Sequence, residues 1–95
     1  MKIHKLVFIG AGNMAEALIK GLIARQVCPA HNIMATDVRP ERLADMKAAH
    51  GIQVSTDNRT AVAGADVIVL AVKPQQMADV LNELRGAAPA TALFI

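Results

Sequence analysis

The segment Ile9-Gly10-Ala11-Gly12-Asn13-Met14-Ala15 joins an apolar run to an amphipathic one, and few folds accept that junction. Before it, Leu6-Val7-Phe8-Ile9 reads as a buried strand. After it, Ala15, Leu18, Leu22 and Ile23 recur at helical spacing. Strand, glycine turn and helix in this order give the pattern G-x-G-x-x-G/A a physical meaning. Gly10 lets the chain turn sharply off the strand, and Gly12, without a β-carbon, leaves the backbone open to a phosphate group. Ala15, in place of a third glycine, keeps the helix close to the sheet. The first N–H groups of the helix lack intrahelical acceptors and lie at the positive end of its dipole, which favours an anion there.

The remainder of the chain alternates strand and helix signals. A helix is expected over residues 13–25, with Glu16 and Lys20 as a solvent-facing pair one turn apart. Residues 28–32 are a connection, and Ile33 to Thr36 form a second strand ending at Asp37. Pro40 opens a second helix with Leu43 and Met46 on its buried face and Gly51 as its stop. Residues 52–54 form a weak third strand, with Ile52 and Val54 on one face. Thr56, Asp57 and Asn58 lead a short helix that Gly64 ends. Residues 67–72 are the most apolar run and read as a central strand buried on both faces. Pro74 starts a helix carrying Met77, Val80, Leu81 and Leu84, and residues 91–95 begin a fifth strand. The right-handed crossover rule then predicts an α/β, Rossmann-like, doubly wound parallel sheet of order 3-2-1-4-5 in a single small domain.

Composition agrees with this architecture. Of the 95 residues, 54% are hydrophobic but only 2% aromatic, which suits an aliphatic sheet under alanine-rich helices and offers no base-stacking surface. Ten basic and eight acidic residues are interspersed without a basic cluster, so no nucleic-acid partner is expected. One cysteine, Cys28, and three scattered histidines predict neither a disulfide nor a metal site, and Cys28 reads as a bystander near a helix end. Lys2 and Lys5 precede an apolar stretch, but Asn13, Glu16 and Lys20 interrupt it as a signal sequence. No run approaches the roughly 20 apolar residues of a membrane span, so a cytoplasmic protein with no membrane partner is expected.

Two further places carry chemistry. Asp37 ends the second strand, about 20 residues beyond the turn, where a dinucleotide-binding fold puts an acid to accept from the adenosine ribose. The plain alternative is a turn aspartate. Arg39 beside it suits a 2′-phosphate, which leaves NAD and NADP both open from these residues. Ala71, Val72, Lys73 and Pro74 leave the carboxyl end of the fourth strand across the switch point, where small residues let a flat cofactor pass and Lys73 can reach a hydroxyl or phosphate. Asn58 either bonds a cofactor or caps its helix. Gly21, mid-helix, is assigned to close helix–sheet packing, and Met14, Met46 and Met77 to the core or a pocket wall. No set of side chains with catalytic spacing is present.

Phe8-Ile9-Gly10-Ala11-Gly12-Asn13-Met14-Ala15-Glu16-Ala17-Leu18, then Asp57-Asn58, then Leu70-Ala71-Val72-Lys73-Pro74-Gln75, resemble the amino-terminal domain of pyrroline-5-carboxylate reductase over essentially the whole chain. The resemblance implies reduction of a cyclic imine amino acid to proline with hydride from NADPH, or less often NADH. It implies that Ile9, Gly10, Ala11, Gly12, Asn13 and Met14 hold the pyrophosphate and that Asp37 and Arg39 lie beside the adenosine ribose. Asn58 would contact the adenosine side, and Ala71, Val72, Lys73 and Pro74 would line the nicotinamide side. Asp37 stands where many members carry a small hydroxyl residue, so a strict NADP preference is not implied. Members continue into an all-helical domain that dimerises and completes the active site. Residues 1–95 are therefore expected to be the NAD(P)-binding domain of a homo-oligomeric parent, binding dinucleotide weakly or not at all and reducing nothing alone. Another imine or β-hydroxyacid reductase, and an NAD(H)-sensing module, are the rival readings.

Overall fold

In the computed structural model, which describes residues 2–95, four short parallel strands and a two-residue fifth form one sheet of order β3-β2-β1-β4-β5. The strands are β1 (Leu6–Ile9), β2 (Ile33–Thr36), β3 (Gln53–Ser55), β4 (Val67–Leu70) and β5 (Leu93–Phe94). This is the order expected from the crossover rule. β1 is central and pairs residue for residue with β2 (Leu6 to Ile33, Ile9 to Thr36) and with β4 (Leu6 to Val67, Ile9 to Leu70). All four β1 residues are buried, as the apolar run required.

Alternation along β1 divides the core in two. Leu6 and Phe8 face α1 (Asn13–Ala24) and α2 (Pro40–His50), where Ala15, Ile19, Leu43 and Met46 are buried. Val7 and Ile9 face the opposite layer, formed by α3 (Asn58–Val62) and α4 (Met77–Leu84) through Ala61, Val62 and Leu84. Helices cover both faces, so the sheet is doubly wound. Pro40 occupies the first turn of α2, and Gly51 closes that helix in the left-handed region at φ 72°. Single 3-10 turns, Ala30–Asn32 and Pro74–Gln76, precede β2 and α4.

Several local expectations change. Regular β4 ends at Leu70 rather than at Val72, although the Ala71 N–H still donates to the Ile9 carbonyl at 2.9 Å. Val67 and Ile68 are buried, whereas Val69 and Leu70 are half-buried because the strand is running out of the helical layers. β3 is shifted by one residue, with Ile52 buried just before it. Met46 is in the core, but Met14 is 64% exposed on the outer side of α1. Gly21 is exposed too, and a β-carbon built there meets nothing within 4 Å, so helix–sheet packing does not account for it. Cys28 is buried, and burial pushes its thiol pKa up, away from the reactive thiolate.

An exposed helical glycine with free space around its α-carbon costs backbone entropy and gains nothing from packing. Gly21→Ala is expected to raise the unfolding free energy by about 0.5–1 kcal/mol in urea denaturation. A decrease would reveal a contact that the chain makes through this glycine.

Candidate functional site

The carboxyl ends of β1, β2 and β4 open onto one cleft of about 580 Å³, within the usual range for small-molecule sites. Its floor is Ile9, Gly10, Ala11 and Gly12. Thr36, Asp37, Val38 and Arg39 form the β2 side, Thr56 and Asn58 the β3 side, and Ala71, Val72 and Lys73 the β4 side. A smaller concavity of about 380 Å³ lies at the other end of the sheet, against His4, Lys5 and His31. Open parallel sheets bind ligands at the carboxyl edge, where helix N-termini converge, and that selects the larger cleft.

Gly10 is the junction of two walls. Its φ of 105° is one that side chains rarely adopt, and a β-carbon built there would stand 2.4 Å from the Ala71 carbonyl oxygen. The Gly10 N–H donates to the Thr36 carbonyl at 2.9 Å, so the turn is held from β2 as well. Gly12 differs. A β-carbon there meets nothing within 4 Å, because the space in front of it is the cleft itself. Gly12 caps α1 without a side chain, and the N–H groups of Asn13, Met14 and Ala15 have no acceptor among the described residues. Open donors, the positive end of a 12-residue helix and an unobstructed glycine together fit a pyrophosphate.

Asp37 is more heavily bonded than a turn aspartate requires. Its Oδ2 accepts from the Ala11 N–H at 3.0 Å and from Arg39 Nη2 at 3.0 Å. Its Oδ1 accepts from the Arg39 N–H at 3.0 Å and from Arg39 Nε at 2.8 Å. The Arg39 guanidinium, aided by the Ala11 and Arg39 N–H groups against the cost of partial burial, holds the carboxyl down at about 2. Four bonds use the accepting capacity of a carboxylate. The Asp37 side chain is only 9% exposed but that of Arg39 is 53% exposed, so it is the cation that faces the cleft.

Asn58 does not cap its helix. Asp57 does, accepting from the N–H groups of Arg59 and Thr60 and from the Thr60 hydroxyl. The Asn58 amide instead donates to Glu83 Oε1 at 2.7 Å, joining the start of α3 to α4. Thus Ile9, Gly10, Ala11, Gly12, Asp37, Arg39, Asn58, Ala71, Val72 and Lys73 share one cleft. Asn13, Met14 and Pro74 are not in its lining; Asn13 and Met14 adjoin it at the first turn of α1, and Pro74 stands behind Lys73.

Two features were not anticipated. Glu16 is not paired with Lys20. It bonds Arg42 Nη2 at 2.9 Å and His50 Nε2 at 2.7 Å on α2, and these two partners lower its pKa. Arg42 Nε also donates to the Ala11 carbonyl at 2.6 Å, which straps the glycine turn to α2. Second, Gln76 just before α4, and Asp79, Val80 and Glu83 on it, line the cleft. Their i, i+3, i+4, i+7 spacing marks one helical face and was there to be read. Among the described residues no cluster of side chains suits a metal ion.

Two outcomes follow from this geometry. Gly10→Ala combines a strained φ with a clash against backbone, and is expected to cost on the order of 3 kcal/mol or more in urea unfolding; a loss below about 1 kcal/mol would mean that turn and wall are not rigidly joined. The folded-state pKa of Asp37 lies below its unfolded value near 3.8, so its stabilising contribution is complete above about pH 4 and is lost as pH falls through about 2. In acid denaturation, Asp37→Asn is expected to lack that component of the wild-type decline, and superimposable slopes between pH 4 and 2 would contradict the Asp37–Arg39 bonding.

Known proteins resemble this arrangement in sequence and in shape. Pyrroline-5-carboxylate reductase of Methanosarcina acetivorans is 42% identical over all 95 residues, and that of Vibrio alginolyticus 46% identical over 86 residues, 90% of this chain. The chain spans 35% and 31% of those relatives' lengths, about a third. Among solved structures, a pyrroline-5-carboxylate reductase from Coxiella burnetii superposes with a TM-score of 0.83 at 38% identity, over 88% of this chain and 31% of that one. The Plasmodium falciparum pyrroline carboxylate reductase with NADP bound shares the fold, with a TM-score of 0.78 at 24% identity over 95% of this chain and 31% of that one. Residues 5–95 match the family described as NADP oxidoreductase, coenzyme F420-dependent, and the chain belongs to that family.

Proposed function

We propose that this chain is the dinucleotide-binding part of a reductase that converts 1-pyrroline-5-carboxylate to L-proline, with NADPH as the preferred hydride donor and NADH as the alternative. One observation carries the reading: the glycine turn and the Ala71 wall are locked together by the Gly10 contact, so an open anion cradle faces a second, small-residue wall across a single cleft. Similarity to pyrroline-5-carboxylate reductases, at 42–46% identity over 90% or more of the chain, supports this cyclic imine as the parent's substrate.

The bound dinucleotide would supply the hydride; the chain's own residues bind and orient it. Gly12 and the open N–H groups of Asn13 and Met14 receive the pyrophosphate, with Ile9, Gly10 and Ala11 fixing its distance from the sheet. Ala71 and Val72 give a flat face for the nicotinamide, Lys73 lies within reach of a ribose or phosphate oxygen, and Pro74 sets the loop. Asn58 serves the adenosine side. Arg39 receives the 2′-phosphate. Asp37, its acceptors already occupied, acts as the anchor for Arg39 and offsets its own repulsion of that phosphate.

We propose that a helical, dimerising domain of the parent supplies the substrate pocket and that the parent works as a cytoplasmic homo-oligomer. Within the described residues no helix is long and apolar enough to cross a membrane.

The parent protein given NADPH and pyrroline-5-carboxylate should form proline, whereas these 95 residues should bind the dinucleotide weakly and form none. Absence of turnover by the parent, with turnover of a β-hydroxyacid or another imine, would reassign the substrate. In direct binding measurements, Arg39→Ala should weaken NADPH roughly tenfold, the order expected for hydrogen bonds to a charged group that is partly solvated, and should change NADH less. Equal losses for the two cofactors would remove Arg39 from the phosphate site.

A further inference from the structure

α4 does not run away from the cleft. It begins beyond β4, where Gln76 lines one end of the cleft, and its second turn brings Glu83 to Asn58 at the start of α3, beyond β3. Glu83 is fixed at both its ends. Arg59 Nη1 donates to the Glu83 carbonyl at 2.7 Å and to the Arg85 carbonyl at 3.0 Å, closing the carboxyl end of α4 with a cation. The Glu83 carboxylate takes the Asn58 amide at 2.7 Å. Nothing in the fold of α3 requires this bond, since Asp57 already caps that helix.

The stations along the cleft follow the sheet order. With pyrophosphate at the β1 end and the adenosine ribose at the β2 end, the base of that nucleoside falls next to the β3 end, among Val38, Thr56, Asn58 and Glu83. There the pair presents a definite pattern. The Glu83 carboxylate accepts, and the second N–H of the Asn58 amide, which is not used on Glu83, donates. Adenine offers the complement along its N6–N7 edge, an exocyclic N6 donor beside the N7 acceptor. A 6-oxo purine offers an acceptor where adenine has its donor, and would set that oxygen against the carboxylate.

Resting on the cofactor reading above, we infer that Glu83, oriented by Asn58 and Arg59, is the residue that selects adenine over 6-oxopurine in the dinucleotide. A site that hydrogen-bonds an N–H rejects an analogue lacking it because its own polar group is then left unpaired.

Calorimetric titration of the chain at up to millimolar dinucleotide, with NADPH and with its reduced nicotinamide hypoxanthine counterpart, tests this directly. Wild type should prefer NADPH by about tenfold. Glu83→Gln is nearly isosteric and can donate to the 6-oxo group, so the preference should fall to about one, mainly through tighter binding of the hypoxanthine form. Glu83→Ala should keep NADPH binding while losing most of the preference. A wild-type preference that survives intact in both variants, with NADPH still bound, would overturn the role of Glu83. Absence of binding of either dinucleotide to the wild type would overturn the cofactor reading itself, and this inference with it.

Discussion

The carbonyl oxygen of Ala71 occupies the place where any residue but glycine at position 10 would put its β-carbon, 2.4 Å away. That single close approach joins the end of β4 to the turn after β1, and the adjacent Ala71 N–H closes the join by donating to Ile9 at 2.9 Å. Much else follows from it. α1 leaves the sheet at the angle that buries Ala15 against the core, and its first N–H groups are presented to the cleft rather than to solvent alone. The Thr36 carbonyl takes the Gly10 N–H, so the three strands that define the cleft converge on one residue. A φ of 105°, open to glycine and not to residues with side chains, falls where a ligand would approach the backbone.

Around that junction the charges are arranged to hold the turn without filling it. Arg42 grips the Ala11 carbonyl from one side, and Asp37 takes the Ala11 N–H from the other. Both are themselves tied, Arg42 to Glu16 and Asp37 to Arg39. The backbone of Ala11 is thereby satisfied within the protein, whereas the donors of the next residues stay open. The turn is held at Gly10 and Ala11, while the N–H groups of Asn13, Met14 and Ala15 stay open. That asymmetry favours an anionic ligand.

Strands, helices and their order were legible because they rest on local patterns: a four-residue apolar run at Leu6–Ile9, prolines at helix starts, and Gly51 where a left-handed residue was needed. The glycine turn and residues 71–73 were legible as candidate walls because each sits at the carboxyl end of a strand, and both border the cleft. Their direct contact was not, because it depends on a register between residues distant in sequence. The same reason hid the Glu16–Arg42–His50 latch, whose members lie on two helices and meet only after both dock on the sheet. Neighbour spacing pointed Glu16 to Lys20, but a partly buried guanidinium bonded to the turn is the stronger partner. Gly21 misled in the opposite direction. A glycine inside a helix invites a packing explanation, and here the helix turns it to solvent. Asn58 could be a cap or a ligand group from sequence; Asp57 proves to be the cap, and the Asn58 amide bonds Glu83 instead.

On the proposed reading, the carboxyl-edge cleft, and not the smaller concavity at the amino edge, receives a dinucleotide with its pyrophosphate on the glycine turn. Backbone amide chemical shifts of the 15N-labelled chain during titration with NADPH test it most directly. Saturable shifts are expected at Gly12, Asn13, Met14, Arg39, Asn58 and Lys73, with His4, His31 and Gln53 unmoved. Shifts centred on those last three residues, or no saturable change up to millimolar NADPH, would contradict it.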